Sequence, residues 1–340
     1  MKRIEGSSSN GLIPGQKSYA QIMNRQVLPL LDSLAELPLL LTTDGRKLYC
    51  ATYPAENPRG TVLLLHGFTE NTLKYSELIY SLLYSGYSVA AYDQRGHGRS
   101  WRDPEVHPSS VTHVDRIDDY VQDLDLVVRT ILKDMPKPWF LFAHSMGGAV
   151  AVLYLENMTP VFNRVVLCAP MIAPNLSGLS PKAACRICRI ARCIHHEKRH
   201  PFFMKPYSGP EDFQSSNATD ENRFAWYDSI KAARNEFQNT VPSYQWIMEA
   251  VRVTETILTP GKPERIRCPI LLYTAALDTT VLPGPQEAFI RRVPKGKQVL
   301  VQGARHEIYR SADDVFFPWW QSVLDFFSQE NDKKEPGDFS

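Results

Sequence analysis

Short apolar runs alternate with amphipathic stretches along most of this chain, and this alternation limits the folds that it can adopt. Residues 61–65, for example, read TVLLL and lack the polar residue at every second position that is typical of a half-exposed strand. Strands of this kind are buried on both faces, as in a parallel sheet that is covered by helices on each side. The pattern therefore predicts an α/β fold with a mostly parallel central sheet.

The predicted strands and helices follow one another in the order that such a fold requires. Strands are predicted at residues 47–53, 61–65, 87–92, 139–143, 164–168, 270–274 and 298–301. Helices are predicted at residues 75–86, 118–132, 147–157, 286–292 and 313–327.

The alternation stops after residue 169 and resumes near residue 270. The intervening segment is helix-like, rich in proline and aromatic residues, and contains no convincing strand. We therefore expect a core in two parts, 41–169 and 261–328, with a helical lid or cap insertion at 170–260. A 1–40 amino-terminal extension and a 329–340 polar tail, which we expect to be disordered, complete the division.

Charge and composition exclude several classes of protein. Thirty-eight basic and 37 acidic side chains leave a net charge of +1, so no overall field attracts nucleic acid. The first ten residues, MKRIEGSSSN, lack the apolar segment of a secretory signal, and no run approaches the ~20 apolar residues of a membrane span. Six cysteines without an export signal indicate reduced thiols. We expect a cytoplasmic protein.

The strongest chemical signal is a predicted strand that runs directly into Ser145 and then into a helix of small residues. The segment from Ala143 to Gly148 resembles the nucleophile elbow Gly-x-Ser-x-Gly, in which a tight turn exposes the serine oxygen above the sheet. Ala143 departs from the strict pattern by one methyl group. The simpler alternative is a glycine-rich turn that only opens a helix.

A serine nucleophile needs a histidine base and an acid that orients the base, and in this architecture they follow in the order serine, acid, histidine. Asp278 comes just after one late strand and His306 just after the next, so both should lie at the same sheet edge as Ser145. Two rival acids are less suitable. Asp93 precedes the serine and leads into a turn, and Glu307 is too close to His306 in the chain to reach its ring.

The reaction also needs two backbone N–H groups that face the developing oxyanion. One comes from the residue after the nucleophile, Met146. The other should come from the loop that follows an early strand, where Gly67 permits a sharp turn and Phe68 is the expected donor. Donors of this kind contribute about 3–4 kcal/mol each to transition-state stabilisation.

These motifs together resemble the α/β-hydrolase superfamily, and within it the serine hydrolases similar to lysophospholipase L2 and monoacylglycerol lipase. The matching segments run in order over residues 40–328. They are residues 66–68, 92–100, 113–123, 143–148, 168–171, 242–246 and 303–307. Alanine at position 143 and the amino-terminal extension resemble the lysophospholipase L2 branch in particular.

The resemblance implies a triad of Ser145, Asp278 and His306 that hydrolyses a carboxylic ester of a lipid, a lysophospholipid or a monoacylglycerol, without a cofactor. Two alternatives use the same acyl-enzyme: transfer of the acyl group to an alcohol or lysolipid, and hydrolysis of small non-lipid esters. A serine nucleophile argues against dehalogenases and epoxide hydrolases, which use aspartate. A binding protein on an inactive scaffold would be expected to lack a triad residue.

Residues 181–200 of the insertion are strongly basic and amphipathic. Wound as a helix, they place isoleucines and alanines on one face and Arg186, Arg189 and Arg192 on the other, and residues 171–206 carry a net charge of +6. The helix could contact an anionic membrane surface or steer a phosphorylated substrate. The simpler interpretation is that its apolar face, at Ala183, Ala184, Ile187, Ile190, Ala191 and Ile194, packs on the domain.

The same segment contains cysteines and histidines at spacings that suggest a zinc site. On a helix, however, Cys185, Cys188 and Cys193 would point in directions too far apart to converge on one ion. We therefore predict no metal site. The oligomeric state is not indicated by the sequence.

Overall fold

The computed structural model describes residues 4, 7–158 and 161–329. Its strands are β1 (Leu40–Leu41), β2 (Lys47–Leu48), β3 (Cys50–Tyr53), β4 (Thr61–Leu65), β5 (Ser88–Tyr92), β6 (Val111–Thr112), β7 (Trp139–His144), β8 (Arg164–Cys168), β9 (Val241–Pro242), β10 (Ile270–Ala275) and β11 (Gly296–Val301). Its α-helices are α1 (Tyr19–Ile22), α2 (Leu28–Leu34), α3 (Ser76–Tyr84), α4 (Ile117–Thr130), α5 (Ser145–Asn157), α6 (Pro181–Cys193), α7 (Glu221–Ala233), α8 (Tyr244–Ile257), α9 (Pro283–Ile290) and α10 (Asp313–Ser328).

Seven strands form the central sheet in the order β11-β10-β8-β7-β4-β5-β3. Every neighbouring pair is parallel except β3 and β5, which pair antiparallel at one edge. The predicted α/β fold is confirmed. Because the inner strands are parallel, their carboxyl ends meet at one edge of the sheet, where the connecting loops can bring distant residues together.

Two details differ from the sequence-based prediction. The predicted strand at 47–53 is split, because β2 leaves the central sheet to pair with β1 while β3 pairs with β5. The insertion also contains a strand, since β9 pairs in parallel with β6. Both strands of that pair have only two residues, too short for an apolar pattern to be recognised.

Helices cover both faces of the sheet, and each face has its own apolar core. Helices α4, α5, α8 and α9 pack on one face, where Leu141, Val150 and Phe289 are fully buried. Helices α3 and α10 pack on the other, together with the amino-terminal extension. No helix in the described part of the chain is long and apolar enough to span a membrane.

The amino-terminal extension is tied to the core by buried polar contacts. Glu77 accepts hydrogen bonds from the Ile13 amide and the Tyr19 hydroxyl, each at 2.8 Å. Arg223 of α7, which is 1% exposed, donates to the Ile13 carbonyl at 2.6 Å and forms an ion pair with Glu77. The extension thus contacts both the core and the insertion. The predicted 329–340 tail, apart from Gln329, lies outside the described residues.

Candidate active site

Ser145 lies at the junction of β7 and α5, in a tight turn. Its φ of 51° is in the left-handed region, which is uncommon for any residue other than glycine. The helix after it passes very close to the loop after β4: a Cβ added at Gly147 would lie 2.5 Å from the His66 carbonyl oxygen. A Cβ at Gly148 would lie 2.6 Å from Cβ of Pro170. The small residues after the serine are therefore required by close packing of the backbone.

The structure brings Ser145, His306 and Asp278 into one chain of hydrogen bonds. Nε2 of His306 lies 2.8 Å from Oγ of Ser145, and Nδ1 of His306 lies 2.7 Å from Oδ2 of Asp278. An ionised carboxylate can only accept, so Nδ1 carries the ring proton and leaves Nε2 free to accept from the serine hydroxyl. The three side chains arrive from the ends of β7, β10 and β11, as the sequence predicts.

Asp278 is held as a carboxylate by several donors. Its second oxygen, Oδ1, accepts the amides of Thr280 at 2.8 Å and Val281 at 3.1 Å. Burial acts to raise the pKa of Asp278, but the hydrogen bond and charge of His306, together with these two amides, hold it below its ordinary value. The carboxylate can therefore orient the imidazole throughout the neutral range.

The loop after β4 lies beside the serine. A Cβ added at Gly67 would be only 3.0 Å from Cβ of Ser145, so this backbone approaches the nucleophile as closely as a glycine permits. Phe68 follows directly, and Met146 occupies the first turn of α5. The ring of Trp246, from α8 of the insertion, lies against that of Phe68 with centroids 4.2 Å apart.

The two rival acids have other partners. Asp93 accepts the amides of Thr72 at 2.6 Å and Arg99 at 2.9 Å, as a turn residue does. Glu307 forms ion pairs with Lys74 at 2.7 Å and Arg310 at 2.6 Å. These contacts direct both carboxylates away from the ring of His306.

The family model described as "Serine aminopeptidase, S33" matches residues 56–313 of this chain. The chain belongs to the serine aminopeptidase S33 family. The match extends from just before β4 to the first residue of α10, and includes Ser145, Asp278 and His306.

Several curated proteins are similar to this chain. Lysophospholipase L2 of Escherichia coli K12 is 27% identical over 299 residues, which cover 82% of this chain and 83% of the relative. Monoglyceride lipase of Rattus norvegicus is 34% identical over 147 residues, 43% of this chain and 46% of the relative. The predicted resemblance to these two groups is confirmed.

Solved structures show the same fold. A soluble variant of Saccharomyces cerevisiae monoglyceride lipase, in complex with a substrate analogue, superposes with a TM-score of 0.66 at 22% identity. That match covers 86% of this chain and 95% of the yeast chain. Paleococcus ferrophilus monoacylglycerol lipase gives a TM-score of 0.63 at 21% identity, covering 82% and 98% of the two chains.

Sequence reasoning missed a buried polar cluster behind Ser145 and His306. Glu70 lies within the loop after β4, and His144 immediately precedes Ser145; both side chains are 2% exposed. They contact each other, and His144 also contacts the backbone carbonyl of His306. The available signal was a carboxylate three residues after Gly67, but its partners lie up to 239 residues away in the chain.

The prediction for the apolar face of α6 is wrong for its isoleucines, although Ala184 and Ala191 are buried as predicted. The buried residues of this helix are Ala184, Cys188 and Ala191, while Ile190 is 59% exposed and Ile187 and Ile194 are exposed as well. Small side chains at these spacings let α6 approach α8 closely, and the larger isoleucines then face outward. Among the described residues, no group of three or more histidine, cysteine or acidic side chains could hold a metal ion.

Proposed function

We propose that this protein hydrolyses a carboxylic ester of a lipid, a lysophospholipid or a monoacylglycerol, through an acyl-enzyme on Ser145. The observation that carries the proposal is the chain of hydrogen bonds from Ser145 through His306 to Asp278, at a strand-to-helix turn with a strained serine. This arrangement supplies a nucleophile, a base and an orienting acid, and no step of the reaction requires a cofactor.

Acylation begins when Oγ of Ser145 attacks the ester carbonyl carbon and its proton passes to Nε2 of His306. The carbonyl oxygen becomes an oxyanion, and the amides of Phe68 and Met146 donate to it. Asp278 stabilises the imidazolium that has formed. When the tetrahedral intermediate collapses, His306 gives the proton to the leaving alcohol oxygen, and the acyl group remains on Ser145.

Deacylation repeats these steps with water as the nucleophile. His306 takes a proton from the water as its oxygen attacks the acyl carbon, and the same two amides hold the second oxyanion. The bond to Oγ of Ser145 then breaks, Oγ recovers the proton from His306, and a fatty acid leaves. The atoms balance as ester plus water giving acid plus alcohol.

Two observations support a lipid as the substrate. The relative that matches along most of its length is named lysophospholipase L2, and shorter matches are named monoglyceride lipase. The insertion also exposes large apolar side chains next to basic ones, which suits a protein that works on amphipathic molecules.

We assign the 170–260 insertion as a lid. Its contacts reach the catalytic loops: the amide of Glu307, next to the base, donates to the Asn217 carbonyl at 3.0 Å. The amides of Thr219 and Asp220 donate to the Arg310 carbonyl. Trp246 covers Phe68. A change in the position of the insertion would therefore alter the contacts of both the loop that carries His306 and the proposed oxyanion loop.

We further propose that α6 contacts an anionic membrane surface from the cytoplasmic side. Arg186, Arg189 and Arg192 are exposed on the same helix as the outward-facing isoleucines, and Phe202, which follows α6, is 90% exposed. Basic residues attract anionic head groups, and the apolar side chains can enter the interface between head groups and acyl chains. The six free cysteines support a reducing compartment.

A substrate panel tests the proposed function. The purified protein is assayed against a short soluble ester, a monoacylglycerol, a lysophospholipid and an aminoacyl anilide, with and without an acyl acceptor. We expect turnover of a lipid ester, with free fatty acid as the main product. An acylated acceptor as the main product would indicate acyl transfer instead. Cleavage of the anilide alone, or of the short ester alone, would refute a lipid hydrolase.

A further inference from the structure

His144 presents both nitrogens of its ring to groups that can only accept hydrogen bonds. Nδ1 lies 3.0 Å from Oε2 of Glu70, and Nε2 lies 3.2 Å from the carbonyl oxygen of His306. A neutral imidazole has one N–H group and one lone pair. Both contacts can be hydrogen bonds only when both nitrogens are protonated, so the geometry requires a charged imidazolium if the carboxylate is ionised.

Glu70 meets that condition, because its two oxygens are surrounded by donors. They accept from the Gly67 amide at 2.7 Å, the Tyr75 hydroxyl at 2.6 Å and the Lys74 ammonium at 3.0 Å. The Tyr309 hydroxyl is a further donor. A neutral carboxyl could satisfy His144 only by donating its own hydrogen to Nδ1, and its hydroxyl oxygen would then be a poor acceptor for the Gly67 amide and the Tyr75 hydroxyl, which both donate to Oε2. The carboxylate is thus the form that fits the site.

The Glu70–His144 pair connects two parts of the site whose relative positions matter for catalysis. Glu70 holds the amide of Gly67, which precedes the proposed oxyanion donor Phe68. His144 precedes Ser145 in the chain and holds the backbone of the base, His306. One continuous path of hydrogen bonds therefore runs from the oxyanion loop, through a carboxylate and an imidazolium, to the loop that carries the catalytic histidine.

We propose that His144 is a positioning residue, an imidazolium that is charged at neutral pH and joins the oxyanion loop to the backbone of His306. This inference rests on the proposed serine hydrolase function. A misplacement of about 1 Å among reacting groups can reduce the rate by roughly a hundredfold, so the fixed spacing of these loops has a direct catalytic value. His144 itself does not touch the substrate.

The surroundings of the ring favour the charged form. The charged and titratable groups that face His144, directly or through Glu70, are Glu70, Lys74, Tyr75, Glu307, Tyr309, His66 and His306. Burial acts to lower the pKa of His144, but the adjacent Glu70 carboxylate raises it above the ordinary histidine value. The imidazolium should therefore keep its proton to a higher pH than an ordinary histidine does.

Nitrogen NMR of the full chain measures the charge directly. The protein is labelled with ¹⁵N-histidine, and the His144 signals are assigned by their loss in His144→Gln. We expect both ring nitrogens of His144 to be protonated at pH ~7, above the ordinary histidine pKa of about 6.5. An unprotonated ring nitrogen at that pH would overturn the proposal. This readout does not depend on activity.

The pH profile tests the positioning role. Glutamine keeps an N–H donor but cannot ionise, so His144→Gln should lower kcat on a soluble ester by roughly ten- to a hundredfold with little change in KM. We expect the wild type to lose activity as rising pH removes the imidazolium proton, and this alkaline decline should be absent in His144→Gln. His144→Leu, which has no donor, should lose more activity than His144→Gln.

A matched control separates positioning from general damage to the fold. His113 is also buried, and its Nδ1 contacts Ser243 at 2.9 Å, outside the triad. His113→Gln should keep the wild-type dependence of kcat on pH. If His144→Gln retained the alkaline decline or full neutral activity while its melting temperature matched the wild type, the proposal would be wrong. A wild type without esterase activity would refute the proposed function, and the NMR result would still decide the charge of His144.

Discussion

The indole of Trp246 lies against the phenyl ring of Phe68, with ring centroids 4.2 Å apart and planes inclined by 41°. Trp246 belongs to α8 of the insertion, whereas Phe68 follows β4 of the core. The contact therefore fixes the proposed oxyanion loop from the side of the insertion. Ser145 approaches the same loop from the core, and Glu70, which lies within the loop, accepts a hydrogen bond from the Gly67 amide.

Removing this contact should reduce catalysis. We expect Trp246→Ala to lower kcat about tenfold or more, because an oxyanion donor contributes about 3–4 kcal/mol only when it is correctly placed. Trp246→Phe keeps an aromatic ring against Phe68 and should retain most of the activity. Steady-state kinetics on a soluble ester measures both variants. Equal activity of the alanine variant and the wild type would show that the contact is unimportant.

Asp278→Asn should reduce kcat by roughly 10⁴-fold, as expected when the orienting acid of a triad loses its charge. The asparagine side chain can occupy the same space, so the fold should be retained, as thermal unfolding can verify. The reason for the loss is that an amide cannot stabilise the His306 imidazolium. A variant with more than a tenth of the wild-type kcat would assign the orienting role to another residue.

Charge reversal on α6 tests the proposed membrane surface. Replacing Arg186, Arg189 and Arg192 with glutamate changes the local charge by six and leaves the triad untouched. At about 1 kcal/mol for each basic residue near a membrane, turnover of a lysophospholipid in anionic vesicles could fall by up to a hundredfold, with a weaker dependence on salt. Turnover of a small neutral ester should barely change.

The matching control reverses three exposed lysines at the opposite edge of the sheet. Lys133, Lys295 and Lys297 lie near the amino ends of β7 and β11, away from the catalytic loops. Their replacement with glutamate makes the same change in net charge and should leave vesicle activity nearly unaltered. Equal losses in the two triple variants would attribute the effect to overall charge, and no loss in either would remove α6 from membrane binding.

The juxtaposition of Ser145, Asp278 and His306 could be predicted from the sequence because each lies within a few residues of the end of a strand, and parallel strands end together. The outward orientation of Ile190 could not be predicted from the sequence. The periodicity of a helix shows which residues share its apolar face, but not which neighbouring elements will cover that face. Ala184, Cys188 and Ala191 are buried instead, since small residues suit close helix packing. The roles of Glu70 and His144 were also hidden, because they depend on partners that are distant in the chain.

The burial of Glu156, near the end of α5, should make the free energy of unfolding depend on pH. Both of its carboxylate oxygens are buried without a hydrogen-bond partner among the described residues, and burial raises its pKa to about 8. In the unfolded chain its pKa is about 4.3. The folded state therefore holds a proton that the unfolded state releases, so this contribution to stability is complete below the unfolded pKa and is lost as pH rises to about 8.

Glu156→Gln should remove the loss of stability that Glu156 causes as pH rises. Relative to the wild type, the variant should gain roughly 1 kcal/mol in free energy of unfolding for each pH unit between about 5 and 8. Denaturant unfolding at several pH values measures the difference in free energy of unfolding between the variant and the wild type. The contributions of the other titrating groups cancel in this difference. A difference that stays constant over this range would mean that Glu156 has no unusual titration.

The most direct test of the central claim is the turnover of Ser145→Ala on the best ester found for the wild type. Because the triad acts as a unit, loss of the nucleophile should lower kcat by about 10⁴–10⁶-fold. The alanine is smaller than the serine and lies in the same turn, so circular dichroism and thermal unfolding should show a folded protein. A folded Ser145→Ala variant with wild-type turnover would contradict an acyl-enzyme at this residue.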